Sequence, residues 1–176
     1  MMLNNRKAYI IGFMGSGKTT AGKKLASLLG WLFIDIDKKI EERVGLTIPE
    51  IFSQHGEGYF RNVESEVLKN LRSHTDIVIS TGGGAPCHGN NMDFMLETGL
   101  TIYLKLTPQQ LESRLSESKT ERPLIKNLDK DSLIGFIEEK LVQREICYSR
   151  ADITIEGMDL DINLLHSLIK STMQSR

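Results

Sequence analysis

The stretch "KAYIIGFMGSGKTT", residues 7–20, constrains this chain more than any other. A short apolar run, which predicts a strand over Ala8–Ile11, breaks off into a glycine-rich turn that ends in Lys-Thr-Thr. Gly12, Gly17, Lys18 and Thr19 complete the spacing G-x-x-x-x-G-K-[ST], and a helical pattern follows at once. Glycines let such a turn wrap its backbone N–H groups around phosphate oxygens, and the next helix adds its unpaired N-terminal donors. The candidate phosphate loop is therefore Gly12, Gly15, Ser16, Gly17, Lys18, Thr19 and Thr20. Lys18 suits the terminal phosphates of a nucleotide, and the Thr19 hydroxyl suits a Mg²⁺ ion. Taken alone, the loop fits a GTPase, an ATPase, a small-molecule kinase or a nucleotide kinase.

Beyond the loop, apolar runs of strand length alternate with helical stripes, as expected for a parallel sheet covered by helices on both faces. Strands are predicted at Ala8–Ile11, Leu32–Ile36, Ile77–Ser80, Leu100–Leu104 and Asp152–Ile155. The helical stripes are Ala21, Leu25 and Leu28, closed by Gly30; Val63, Val67 and Leu71; and Ile134, Ile137 and Leu141. In the tail, Leu160, Leu164 and Leu168 form another, with Leu165 and Ile169 beside them. The charged stretch "SESKTERPLIKNLDKDS" lacks this regularity and reads as a loop interrupting the fold, with the character of a lid.

At 176 residues the chain suits a single domain, 1–176, and its net charge of -1 gives no bulk attraction to nucleic acid or an anionic membrane. The start lacks a signal-peptide core, and no run approaches the roughly 18 apolar residues of a membrane span. The two cysteines, Cys87 and Cys147, are widely separated and fit neither a disulfide framework nor a metal knuckle, so a reducing cytosol is the expected setting.

Phosphoryl transfer needs an acceptor site, and several segments can supply one. In "FIDID", strand alternation points Asp35 and Asp37 to one side, beyond a strand's carboxyl end. Asp35 suits the water shell of Mg²⁺, and Asp37 suits a substrate hydroxyl, whether as base or as an orienting acceptor; a helix cap and a solvated acid are the plain alternatives. In "IPEIFSQHGEGYFRNVESE", Pro49 starts a short helix, "HGEG" breaks it, and a longer helix carries Arg61 and Glu64. Arg61 offers a carboxylate two parallel donors, or forms an ordinary surface ion pair. Gly82, Gly83 and Gly84 imply close backbone approach to another group or a tight crossover. Arg144 in "REICYSRAD" is a second acceptor-side cation or a solvated helix-end charge. Arg122 in the irregular loop suits the transferring phosphate, and Arg114 on the preceding helix suits the nucleotide base.

In this order, "GFMGSGKTT", "FIDIDKKIE", "IFSQHGEGYFRNVE", "STGGGAP", "ERPL" and "REICYSRAD" closely resemble the shikimate kinase family over nearly the whole chain. The resemblance implies the P-loop fold of the nucleoside monophosphate kinase type, with a five-stranded parallel sheet flanked by helices and a mobile lid. It implies Mg²⁺-dependent transfer of the γ-phosphoryl group of ATP to the 3-hydroxyl of shikimate, on the route to chorismate and aromatic amino acids, by a cytoplasmic monomer. By this resemblance Lys18, Asp37 and Arg122 are catalytic, Thr19 ligates Mg²⁺ and Asp35 reaches it through water. Arg61 and Arg144 clamp the shikimate carboxylate, Gly82, Gly83 and Gly84 line the ring site, and Phe52 and Phe60 are its apolar walls. Arg114 and Arg122 lie on the nucleotide side. An acceptor-binding region over 36–72 and a lid over 113–128 follow.

The chain departs from the family where Arg144-Glu145-Ile146-Cys147-Tyr148 replaces the usual R-x-P-x-Y, so Ile146 retains a backbone donor that proline lacks. "EGMDL" matches the adenine-facing loop weakly, "CHGNN" is unusually polar, and Cys87 and His88 receive no chemical role. A gluconate-type kinase is the nearest alternative enzyme, a nucleotide kinase lacks an identifiable second base pocket, and a nonenzymatic nucleotide-controlled binding module is the alternative from another class.

Overall fold

A computed structural model describes residues 6–118, 122–157 and 160–174. Residues 119–121 of the expected lid, and Met158 and Asp159 of "EGMDL", lie outside the described residues. The elements are β1 (Lys7–Ile11), α1 (Lys18–Leu29), β2 (Leu32–Asp35), α2 (Ile36–Val44), α3 (Ile48–Asn70), β3 (Ile77–Ser80), α4 (Asn91–Thr98), β4 (Leu100–Lys105), α5 (Pro108–Ser116), α6 (Lys130–Tyr148), β5 (Ile153–Glu156) and α7 (Ile162–Gln174). Short 3₁₀ turns occupy Ala85–Cys87 and Pro123–Ile125. No helix among the described residues is long and apolar enough to cross a membrane.

All five strands are parallel in the order β2-β3-β1-β4-β5, as the alternating pattern predicts. β1 is central because every one of its residues is buried, which a strand achieves only with neighbours on both edges and helices on both faces. Its alternation divides the core. Tyr9 and Ile11 pack with Ile40, Phe60, Leu68, Met95 and Tyr148 on the α2–α4 and α6 side, while Ala8 and Ile10 pack with Leu25, Leu165 and Ile169 under α1 and α7. A third cluster of Phe13, Leu111, Leu115, Leu133 and Ile137 joins α5 and α6 to the loop after β1.

Parallel pairing sets the carboxyl ends of β1, β2 and β3 side by side, where open α/β sheets bind ligands. Thr81 fixes that alignment, because its backbone N–H and its hydroxyl both donate to the Ile10 carbonyl at 3.2 Å. The segment after β3 therefore lies against the glycine loop after β1.

Four expectations are corrected. β2 ends at Asp35, whose side chain caps α2 by accepting the Asp37 N–H at 3.1 Å, so Asp37 belongs to a first helical turn rather than to the strand. Gly56, at φ 80° and ψ 172°, kinks α3, but the helix resumes, so "HGEG" is a bend and not a break. In α7 the buried stripe is Leu165 and Ile169, leaving Leu164 and Leu168 exposed. Leu28 is likewise exposed, although Ala21 and Leu25 of its stripe are buried. The predicted stop at Gly30 holds, with its N–H turned back to the Ala26 and Ser27 carbonyls.

One buried charge secures the end of α3. Lys7 on β1 is 2% exposed, and its Nζ donates to the carbonyls of Leu71 at 2.6 Å and Arg72 at 2.9 Å, groups that a helix C-terminus leaves unpaired. Lys7→Met keeps the apolar stem and removes both bonds, so stability should fall by about 1–3 kcal/mol. Urea unfolding checks this: a lower midpoint at unchanged slope is expected, and an unchanged midpoint would show that Lys7 supports nothing there.

Candidate active site

The loop after β1 is shaped for anions. Gly12 has φ 143° and a Cβ there would sit 2.7 Å from the Leu104 carbonyl oxygen, so only glycine lets the loop pass β4 this closely. Gly17, in the left-handed region at φ 91°, precedes α1 and offers no side chain to cap it, which leaves the first-turn N–H groups facing the cleft. Lys18 is buried and folds over the loop, donating to the Gly12 carbonyl at 2.9 Å and that of Phe13 at 2.7 Å. Burial pushes its ammonium down to about 8, against the pull of Asp37. The Ser16 Oγ is buried with no hydrogen-bond partner among the described residues.

Beside the loop, the Thr19 hydroxyl donates to Asp35 Oδ2 at 2.9 Å, so α1 and β2 present one hydroxyl and one carboxylate together. Arg114 reaches back from α5 to the Ser16 carbonyl at 3.4 Å and lies against Gly17. Arg122 donates to Ser118 Oγ at 3.0 Å and faces the same cleft. That cleft, of about 540 Å³, is lined by the glycine loop, Lys18, Thr19, Thr20, Asp35, Asp37, Gly82, Gly83 and the two arginines.

A second cavity of about 290 Å³ continues over Gly17, Thr20 and Arg114 to Lys24, Ile155, Leu160 and Ile162. Of these four, sequence reasoning touched only Leu160, through the weak match of "EGMDL", and missed Lys24, Ile155 and Ile162. They come from three elements, and the only signal was that the loop after a last parallel strand falls at the ligand end of the sheet.

On the opposite side of the phosphate loop, the triple glycine is packed under a charged cluster. A Cβ on Gly82 would lie 2.2 Å from Glu64 Oε1, and one on Gly84 would lie 2.4 Å from Arg61 Nη2. At Gly83 a Cβ would lie 3.1 Å from the Met14 N and 3.3 Å from Arg144 Nη1. Glycine is thus required because Arg61, Glu64 and Arg144 all come down onto this backbone. Arg61 donates to Glu64 Oε2 at 2.8 Å and, through Nε and Nη2, to Glu57 Oε1 at 3.3 and 3.2 Å. Glu57 is a partner that the sequence reading did not identify. Phe60 is a core residue beneath Arg61, its ring 5.1 Å from the guanidinium and 4.8 Å from that of half-buried Phe52.

Arg144 is buried rather than solvated, with its guanidinium 5.2 Å from the Phe13 ring. Its Nη1 has no partner among the described residues, a buried charged donor left uncompensated. One turn later, the Tyr148 hydroxyl donates to the Gly83 carbonyl and holds α6 against the glycines. Ile146 is 76% exposed, so the departure from the family pattern at this position acts on the backbone of α6, which runs unbroken to Tyr148.

Two acids, one in the cleft and one buried behind its glycine wall, are shifted upward. Asp37 opens into the cleft but is walled by protein elsewhere; that burial and the nearby Asp35 raise its pKa, opposed by Lys18 and Arg61. Glu64 is wholly buried, and burial outweighs Arg61 and pushes it up to about 7. Its Oε1 has no partner among the described residues, the physical reason that the charged form is disfavoured.

For Glu64 the folded value of about 7 exceeds the ordinary 4.5. Between those values the folded state keeps a proton that the unfolded chain releases, so the stability this group contributes is full below the lower value and lost as pH rises through the upper. The stability excess of wild type over Glu64→Gln should therefore shrink across that window, by at most ~1.4 kcal/mol per pH unit. Urea unfolding of both proteins at several pH values checks it; an excess that grows with pH would mean that Arg61 dominates.

Comparison with known proteins finds relatives along nearly the whole chain. The shikimate kinase family model matches residues 14–172. A shikimate kinase of Parabacteroides distasonis is 42% identical over 152 residues, covering 86% of this chain and 88% of its own. The crystal structure of shikimate kinase from Bacteroides thetaiotaomicron superposes with a TM-score of 0.87 at 37% identity, covering 96% of this chain and 98% of that one. Shikimate kinase from Acinetobacter baumannii in complex with shikimate gives a TM-score of 0.84 at 35% identity over 97% of this chain and 93% of its own. With a P-loop fold, a five-stranded parallel sheet and relatives of this identity over nearly its full length, the chain belongs to the shikimate kinase family.

Proposed function

We propose that the cleft works as a two-substrate site, the phosphate loop taking the donor and the Arg61–Glu64–Arg144 cluster reading the acceptor. The chain is an ATP-dependent kinase that phosphorylates shikimate to shikimate 3-phosphate. The observation that carries the assignment of sides is the buried, unpartnered Nη1 of Arg144 beside Gly83, within the same glycine wall that borders the phosphate loop.

On the donor side, the loop N–H groups and Lys18 hold the terminal phosphates of ATP, and Arg122 stabilises charge on the transferring group. Arg114 lies beside the base, which enters the 290 Å³ cavity. The adjoining Thr19 hydroxyl and Asp35 carboxylate fit Mg²⁺, a hard cation that keeps several waters and needs few protein ligands. Among the described residues no group of three or more His, Cys, Asp or Glu forms a closed metal cage, which suits an ion shared with phosphate. When bound, Mg²⁺ neutralises phosphate charge and orients the phosphoryl group.

On the acceptor side, Arg61 and Arg144 hold the carboxylate of shikimate. Glu64, buried, is the permanent partner of Arg61, while half-exposed Glu57 is the exchangeable one that the substrate carboxylate replaces. Gly82 and Gly83 border the ring on the cleft side and Gly84 lets Arg61 come down beside it, with Phe52 as an apolar wall and Phe60 supporting Arg61. Asp37, made more basic by its surroundings, accepts the hydrogen bond of the 3-hydroxyl, orients it and takes its proton as the oxygen attacks phosphorus. Closure of the 113–128 segment over the nucleotide excludes water. The enzyme acts as a cytoplasmic monomer on small molecules, as a single domain with its acceptor region over 36–72, and supplies the route to chorismate.

A product assay with ATP, Mg²⁺ and separate portions of shikimate, gluconate and nucleoside monophosphates tests the acceptor. Shikimate 3-phosphate alone is expected; phosphorylation of gluconate in its place would overturn the reading. In the same assay, Asp37→Asn should lower kcat by about 10²–10⁴-fold with ATP KM and folding retained. Near-normal turnover would remove Asp37 from proton transfer.

A further inference from the structure

The chain's only two cysteines, remote in sequence, meet in space. Cys87 ends the 3₁₀ turn that follows the triple glycine, and Cys147 lies in the last turn of α6, one turn beyond Arg144. The Cys87 thiol donates to the Arg144 carbonyl at 3.7 Å, on the turn of α6 that leads to Cys147, and the two thiols interact. The Tyr148 hydroxyl bonds the Gly83 carbonyl nearby, so the two segments that carry the cysteines are already fastened together. Both residues are half-buried. Cys87 also packs against the main core cluster, which accounts for one small apolar side chain there but not for a second thiol placed against it.

We propose that Cys87 and Cys147 form an oxidation site that closes to an intramolecular disulfide on reaction with a hydroperoxide. Burial, with Cys147 adding to it, raises the Cys87 pKa, so Cys87 keeps its proton and enters at the second step. The Cys147 thiolate attacks a peroxide oxygen; an S–O bond forms, the O–O bond breaks, and the departing alkoxide or hydroxide takes a proton. Cys87 sulfur then attacks Cys147 sulfur, its proton leaving with the hydroxyl as water while the S–O bond breaks and the S–S bond forms. Two thiols lose two electrons and the peroxide gains them. A small thiol reverses the change by exchange.

Closure replaces a thiol contact with a covalent bond and removes the Cys87 S–H donor from the Arg144 carbonyl. It draws the last turn of α6 onto the turn below Gly84, which shifts the backbone that carries Arg144. Oxidation should therefore weaken acceptor use reversibly. This consequence rests on the proposed carboxylate clamp, whereas the crosslink itself does not.

The test treats the full, reduced protein with hydrogen peroxide, alkylates remaining thiols and reads intact and peptide masses. Loss of two hydrogens, joint loss of both thiols, a Cys87–Cys147 linked peptide within one chain and reversal by dithiothreitol are expected. Cys87→Ser should leave a Cys147 sulfenic acid trapped by dimedone, and Cys147→Ser should leave Cys87 largely unmodified. Oxidation of Cys147 with Cys87 still alkylatable, links only between chains, or no oxidation of either would overturn the site. In kinetics, the crosslinked enzyme should show a severalfold higher shikimate KM with ATP KM little changed. A crosslink without that split would overturn its coupling to Arg144. Should the reduced enzyme fail to phosphorylate shikimate, the functional reading falls while the mass result still judges the site.

Discussion

Glu64 is the point on which the proposed acceptor side of this molecule is assembled. Its carboxyl is wholly buried, binds Arg61, feels Asp37 and Arg144, and occupies the space that a side chain at Gly82 would fill. Burying such a group is costly, and removing one partner of a buried ion pair typically costs about 3–5 kcal/mol because the other charge is stranded. An apolar residue would pack there at less expense. What the acid supplies is orientation: it holds the Arg61 guanidinium at an angle from which one edge remains exchangeable, with Phe60 beneath. The triple glycine follows from the same cluster, since Arg61, Glu64 and Arg144 leave no room above it.

This cluster is joined to the phosphate loop through the sheet. Pairing of β1 with β3 and the two bonds from Thr81 to Ile10 hold the glycine wall beside the loop, and a Cβ on Gly83 would already touch the Met14 N–H. Helix α6 closes the arrangement, its Tyr148 fastened to Gly83 while Arg144 lies over Phe13 of the loop. With Ile146 in place of the family's proline, α6 runs as one helix to Tyr148, so Arg144, Cys147 and Tyr148 share its last turns. The proposed donor and acceptor groups therefore belong to one connected wall.

The residues that the sequence made legible are those with local signals. The strands were readable to about a residue because their buried runs end at sharp turns, and the phosphate loop because its glycines and Lys-Thr sit at fixed spacing. Alternation failed for Asp35 and Asp37 because the strand stops where Asp35 begins to cap α2; a helical turn brings the two acids together instead. In α7 two apolar stripes run one residue apart, and periodicity alone does not say which of them faces β1. Glu57, the base-side cavity and the meeting of Cys87 with Cys147 arise from tertiary packing between distant segments, for which spacing carries no mark. Arg144 was visible as a cation, but its burial and its unpaired donor were not.

The central claim is that two arginines recognise a carboxylate while the phosphate loop supplies the chemistry. It is tested most directly by comparing shikimate with its ring analogue bearing a neutral carboxamide, at saturating ATP and Mg²⁺. Loss of charge-assisted bonds of about 1.5–3 kcal/mol should lower kcat/KM by roughly 10–150-fold, chiefly through KM for the acceptor. Equal kcat/KM for the two compounds would contradict the account.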